Sequence, residues 1–132
     1  MADIVEFPGM AAVAVAFLRG EFATSGETAR VSTKVPNPMP PRMVRIDIGG
    51  SSERNRVTGS VLVIVQAYAA SEPEAERLCE RARALLRSTP ELDSVPGASI
   101  MACLGSSLPV PLPDPDVATP RYQATVQLAV SP

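Results

Sequence analysis

Apolar residues crowd the chain from Met10 to Leu18 and leave that stretch almost no polar face. Pro8 stands where a missing amide costs a helix little, so a helix is predicted from Pro8 to about Phe22. A helix apolar all round is buried on several sides, and in so small a chain part of its surface is expected to lie against another subunit. Ala29 to Val35 reads as a short strand with Val31, Thr33 and Val35 on one side. Met43 to Ile48 alternates, with Val44, Ile46 and Ile48 facing in and Arg45 and Asp47 facing out. Gly49 to Arg56 is polar and glycine-led. It joins two strands and predicts a long hairpin loop, too long for a tight turn and ordered mainly by a partner. In the following strand, Val57 to Ala69, the run Val61-Leu62-Val63-Ile64-Val65 has no polar break, which predicts a central strand buried on both faces.

The second helix carries the clearest signals. Ser71 and Glu74 form an S-x-x-E capping box, with Pro73 tolerated in the first turn. Ala75, Leu78, Cys79, Ala82, Leu85 and Leu86 recur at helical spacing. Glu72, Glu74 and Glu76 near the start, with Arg83 and Arg87 near the end, complement the helix dipole. Pro90 ends the helix by about Ser88. Pro96-Gly97 marks a turn. Ser99 to Leu104 reads as a strand, broken or bulged at Gly105-Ser106-Ser107. In the last strand, Arg121 to Val130, Tyr122, Ala124, Val126, Leu128 and Val130 share one face, and Gln123, Thr125 and Gln127 share the other. The order α-β-β-β-α-β-β over residues 1–132 makes a single α+β domain, a mostly antiparallel or mixed sheet with two main helices packed on it and covering one face.

Two proline-rich connectors, Val35 to Pro41 and Pro109 to Pro120, each lead into an amphipathic strand. Proline lacks an amide donor and has a fixed φ, so both stretches are expected to stay extended, outside helix and sheet. Pro36, Pro38 and Pro40 in the first, and Pro111, Pro113 and Pro115 in the second, are candidate arms reaching neighbouring subunits.

Composition narrows the chemistry. The chain is 45% apolar and 20% charged with a net charge of −2, ordinary for a globular domain and unlike a basic nucleic-acid binder. Arg42, Arg45, Arg54 and Arg56 form the only local basic cluster in sequence; Arg54 and Arg56 are candidates for touching a partner or a DNA-filled lumen. The apolar run near the N-terminus is too short for a membrane span and follows Asp3 and Glu6 rather than a basic leader. With no histidine in the chain, the commonest general base and transition-metal ligand is missing. No nucleophile elbow, P-loop or dinucleotide fingerprint occurs. Asp114 and Asp116 around Pro115 read as turn formers rather than a cation site. Cys79 and Cys103 lack metal-ligand spacing and are expected to be buried, separate, reduced thiols. Tyr122 is expected to be a half-buried aromatic, and Gln123, Thr125 and Gln127 face either solvent or a lumen. No catalytic residue, cofactor or metal is expected, and no enzymatic activity.

Several segments together resemble the tail terminator proteins of long-tailed bacteriophages, particularly phages of actinobacteria. They are the opening DIVEFP with its apolar helix, VSTKVPNPMPPRMVRIDIGG, VLVIVQAYA leading into SEPEAERLCERARALL, and LPDPDVATPRYQATVQLAV. The tip SSERNR and the segment Thr89 to Ser107 carry no family signal. The resemblance implies a compact α+β domain forming a hexameric ring. Such a ring docks on the finished tail tube, stops its polymerisation and offers the face to which the head attaches. The implied partners are other copies of the chain, the tail tube protein, a head-completion or neck protein, and DNA passing through without sequence-specific binding. The implied location is the head-proximal end of the tail in the virion, and the host cytoplasm during assembly. The competing readings are another head-to-tail connector, a small α+β ligand-binding module, which would need a deep pocket with convergent polar groups, and a nucleic-acid binder, which the charge disfavours.

Overall fold

In the computed structural model, which describes residues 4–92 and 95–132, helix α1 (Met10–Ser25) precedes strands β1 (Arg30–Ser32), β2 (Met43–Asn55) and β3 (Thr58–Tyr68). Helix α2 (Glu72–Arg87), a short 3-10 turn (Thr89–Glu91), and strands β4 (Ser99–Pro111) and β5 (Arg121–Ser131) follow. Asp3 lies outside the described residues. The strands form one five-stranded sheet in the order β1-β2-β3-β5-β4. β1 runs parallel to β2 and every other pair is antiparallel. The architecture is the α+β order read from the sequence.

β3 sits at the centre, as expected of its apolar run. Val61, Val63 and Val65 point to the helix-covered side and share one core with Leu18 and Phe22 of α1 and with Leu78, Cys79, Ala82 and Leu86 of α2. Val63 and Leu78 are thus buried together. α2 begins as its capping box predicts: the Glu74 amide donates to Ser71 Oγ at 3.4 Å, and Glu72 and Glu74 occupy the first turn. α1 lacks any such cap. Gly9 holds its N-cap position without a side-chain hydrogen bond, so Pro8 lies outside the helix. Its end is set by Gly26, whose φ of 77° suits a residue without Cβ and lets its amide reach the Phe22 carbonyl. The helix therefore runs Met10–Ser25 rather than Pro8 to Phe22.

Other expectations give way to pairing. β1 is three residues, not Ala29 to Val35, because the Ser32 hydroxyl turns onto the Lys34 backbone and ends the ladder. Gly49 to Arg56 is not a loop awaiting a partner. β2 continues through it to Asn55, paired with β3 up to Asn55 opposite Thr58, and register shifts at Gly49 and Arg54 absorb the extra residues. Likewise β4 does not stop at Leu104. It runs on through a bulge at Leu104 and takes up Pro109 and Pro111, which the sequence places outside any sheet. An edge strand tolerates proline because its outer amides have no ladder to serve.

β3 is also not buried on both faces. Leu62 and Ile64 are only half-buried, since both helices lie on one side of the sheet. The spare apolar surface expected of α1 shrinks too. Met10, Val13, Val15, Phe17, Leu18 and Phe22 are buried within the chain, leaving small residues such as Ala12 and Ala16 outside.

Candidate functional site

Because helices cover one side, alternation along β3 and β5 delivers a second, uncovered face. Register places Gln66 beside Gln123, Ile64 beside Thr125 and Leu62 beside Gln127. The polar groups form a ladder across strands. Gln66 Nε2 donates to Gln123 Oε1 at 2.9 Å, and Gln127 Nε2 donates to Ser60 Oγ at 2.9 Å. The hydroxyls of Thr125 and Ser107 lie 2.9 Å apart, while the Thr125 amide donates to Ser107 Oγ at 3.0 Å. Gln66 Oε1 is buried without a hydrogen-bond partner among the described residues. The ladder itself consists of neutral amides and hydroxyls around Leu62 and Ile64, and the same face carries one charge of each sign, Arg45 opposite Gln66 and Asp47 opposite Ile64.

At the β4–β5 connection this face is closed by a clamp. Tyr68, at the end of β3, is fully buried. Its hydroxyl donates to Asp114 Oδ2 at 3.2 Å and accepts from Arg121 Nη1 at 3.3 Å. The Arg121 guanidinium stacks over the Tyr68 ring at 5.8 Å, pairs with Asp114 at 3.5 Å and donates through Nε to the Leu112 carbonyl at 2.7 Å. Asp114 in turn accepts the Asp116 amide at 3.0 Å. That bond, with the Tyr68 hydroxyl and the Arg121 charge, holds its carboxyl below the usual carboxylate value. Asp114 and Asp116 thus form the turn the sequence predicts, and Asp114 also ties the second proline-rich connector to the sheet. The sequence offers one hint of this clamp, an aspartate in the connector and an arginine opening β5; that a tyrosine distant in sequence completes it follows from register alone.

The sequence-predicted residues fall in separate places. Gln123, Thr125 and Gln127 come together on the open face. Arg54 lies at the β2 bulge and Arg56 in the β2–β3 turn, both exposed at the hairpin tip. Pro36, Pro38 and Pro40 lie in the β1–β2 connector, with Pro38 exposed and preceded by a cis peptide bond. Pro111 closes β4, and Pro113 and Pro115 follow on the clamped segment. Tyr122 is half-buried on the helix side, where desolvation and the carboxylates of Glu76 and Glu72 raise its phenol.

The arginines do not cluster as their sequence spacing suggests. Arg42 binds Glu27, with Nη2 to Oε1 at 2.7 Å. Burial by itself would raise the Glu27 carboxyl, but hydrogen bonds from Arg42 and the Ala29 amide outweigh it and leave the group below its ordinary value. Arg42 instead shares an open cleft with Arg77 and Arg81 of α2, a grouping that only the packing of α2 beside β2 creates.

The thiols are free. Cys79 is buried with Sγ 3.8 Å from the Val65 carbonyl, and burial, reinforced by Glu80, pushes its thiol up to about 12. Cys103 is half-exposed rather than buried, because β4 is an edge strand. Among the described residues no group of three or more acidic or thiol side chains is placed to hold a metal, and no helix is long and apolar enough to cross a membrane. No protein-family model matches the chain, and no curated protein matches it.

Proposed function

We propose that this protein is a structural subunit that assembles into a ring, with six copies the expected number, at the head-proximal end of a phage tail tube, where it stops tube growth and receives the head. The observation that carries the reading is the one-sided sheet: helices cover one face, and the other presents an uncharged ladder of Gln66, Gln123, Thr125, Gln127 and Ser107. Such a surface suits the wall of a water-filled passage through which DNA moves without being held, because most of it is neutral amides and hydroxyls and its Arg45 is matched by Asp47 on the same face. The resemblance of nearly the whole chain to tail terminators supports the same role, and a heterologous interface whose rotation closes explains how the assembly stays finite. The hairpin tip with Arg54 and Arg56 is the part best suited to meet a neck protein or DNA.

Purified protein added to isolated tail tubes is expected to cap one end only, and deletion of the gene is expected to give tails of abnormal length that fail to join heads. Changing Arg54 and Arg56 together to Glu is expected to impair head joining or genome retention while tube length stays normal. Tails of normal length joined to heads without this protein would remove the reading.

A further inference from the structure

The sheet has two incomplete edges, and they match level by level. β1 covers β2 only at Met43, Val44 and Arg45. From Ile46 to Asn55 no strand pairs with the outer side of β2 among the described residues. On the far side, β4 is the other edge. The row that passes through Val44 runs Val31, Val44, Ala67, Tyr122, Pro111. The row through Ser52 runs Ser52, Ser60, Ala129, Ala102. Where β2 is covered, β4 is therefore blunted by Pro109 and Pro111, which lack the amides a new ladder needs. Where β2 is open, β4 offers Ser99 to Ser107, free of proline.

The side chains along these edges are complementary as well. Register shifts leave Met101 and Leu104 as extra residues of β4 and set Leu108 and Pro109 together against the single Ala124 of β5. The large apolar side chains at these bulges are solvent-exposed, Met101 at 46%, Leu104 at 44% and Leu108 at 69%. A long edge carrying exposed apolar residues is one that native proteins ordinarily cover. Next to the open stretch of β2, on the helix-covered face, an apolar cleft of about 480 Å³ runs under the start of α1 from Ile48 and Ser52 of β2 across Val61 of β3 to Val130 of β5, with Phe7 and Met10 above it. An apolar row along one edge and an apolar cleft whose wall includes the open stretch of the other edge strand are the ingredients of a head-to-tail contact between identical chains.

Strand direction permits the join. β2 and β5 run one way and β3 and β4 the other, so β4 of one copy set beside β2 of the next, with both sheets oriented alike, is antiparallel. We infer that copies of this chain join edge to edge: Ser99–Ser107 of one copy adds to the open stretch of β2 in the next, with Met101 and Leu104 at the apolar cleft. Continued around a closed ring, this pairing leaves no strand edge exposed at that level and puts every helix on one side of the wall and every polar ladder on the other. The proposal rests on the ring reading above for closure, but its residues are tested separately.

The test uses the full chain. Wild-type protein is expected to be a closed multi-subunit particle by light scattering. The variant carrying Met101→Glu and Leu104→Glu, both at exposed positions, is expected to keep the wild-type circular dichroism and run as a single chain. An independent arm places cysteine at Ser51, Ser52 or Glu53 in turn and oxidises it against native Cys103, since Ser51 and Cys103 lie in the same row through Val61 and Leu128. A ladder of covalently linked chains, absent from wild type, is the expected result. A particle indifferent to the two Glu substitutions, with no ladder at any of the three positions, overturns this joint and leaves a terminator built on another interface. Cross-linking of unmodified chains through Cys103 alone means a two-fold β4–β4 dimer and overturns it also, as does a wild-type chain that stays single at high micromolar concentration. A laddered particle that fails to cap tubes leaves the joint standing and removes the terminator reading.

Discussion

Leu62 and Val63 are neighbours in β3, yet they belong to two different surfaces. Val63 is sealed beneath α1 and α2 in a core that also holds Leu18, Phe22, Leu78 and Leu86. Leu62 lies half-buried on the face that no helix covers, opposite Gln127 and within a ladder of amides and hydroxyls. The covered face is maintained by close packing, where a lost methyl leaves a void that its neighbours cannot fill. The open face is maintained by cross-strand pairs and one buried clamp, so its side chains can change more freely without loss of the fold. A protein made this way can present one surface to partners or solvent without loosening its core.

The contrast is broken most severely at the covered face. Leu78→Ala is expected to cost about 2–5 kcal/mol in chemical denaturation. A loss well under about 1 kcal/mol would mean that α2 does not pack on β3 as described. Next comes the clamp, where Tyr68→Phe removes a buried hydroxyl that joins Asp114 to Arg121. It is expected to cost about 1–3 kcal/mol and to make the Leu112–Pro120 segment more open to proteolysis. Unchanged stability and unchanged cleavage would show that the arginine and aspartate hold the connector without it. Leu62→Ala should cost only about 1 kcal/mol, less than Val63→Ala although leucine loses more atoms. The reverse order would show that something covers the open face in the isolated chain.

The smallest effect is expected at the margin between helix and sheet, in the pair of Glu27 and Arg42. The Glu27 carboxyl is held below its ordinary value of 4.5, so its ionised form is favoured by folding. The pair's contribution is full above that value and is lost as pH falls through the lowered one. The thermal midpoint should therefore drop on acidification, and Glu27→Gln should lower it near neutral pH while flattening that slope. Identical slopes for the two proteins would place the acid sensitivity in other carboxylates.

Much of this architecture was legible in the residues alone. The capping box of α2, the central place of β3 and the alternation of β5 all rest on local rules, because a cap or a period of two or 3.6 is written within a few neighbouring positions. Alternation likewise placed Gln123, Thr125 and Gln127 on one face. What local rules could not reach were the properties that depend on a partner distant in sequence. Gly49 to Arg56 looks like a loop until β3 lies beside it, and Pro109 and Pro111 look excluded from a sheet until β4 is known to be an edge. The half-exposure of Leu62 follows from both helices lying on one side, an arrangement that the α+β order implies but that the unbroken apolar run of β3 reads against. The Tyr68 clamp and the matched open edges of β2 and β4 arise from register, which sets distant residues side by side. Periodicity thus determined the elements and the faces of their strands. Only the assembled sheet decided which face was covered and which edges were left open, because burial and pairing belong to neighbours that the chain brings together by folding.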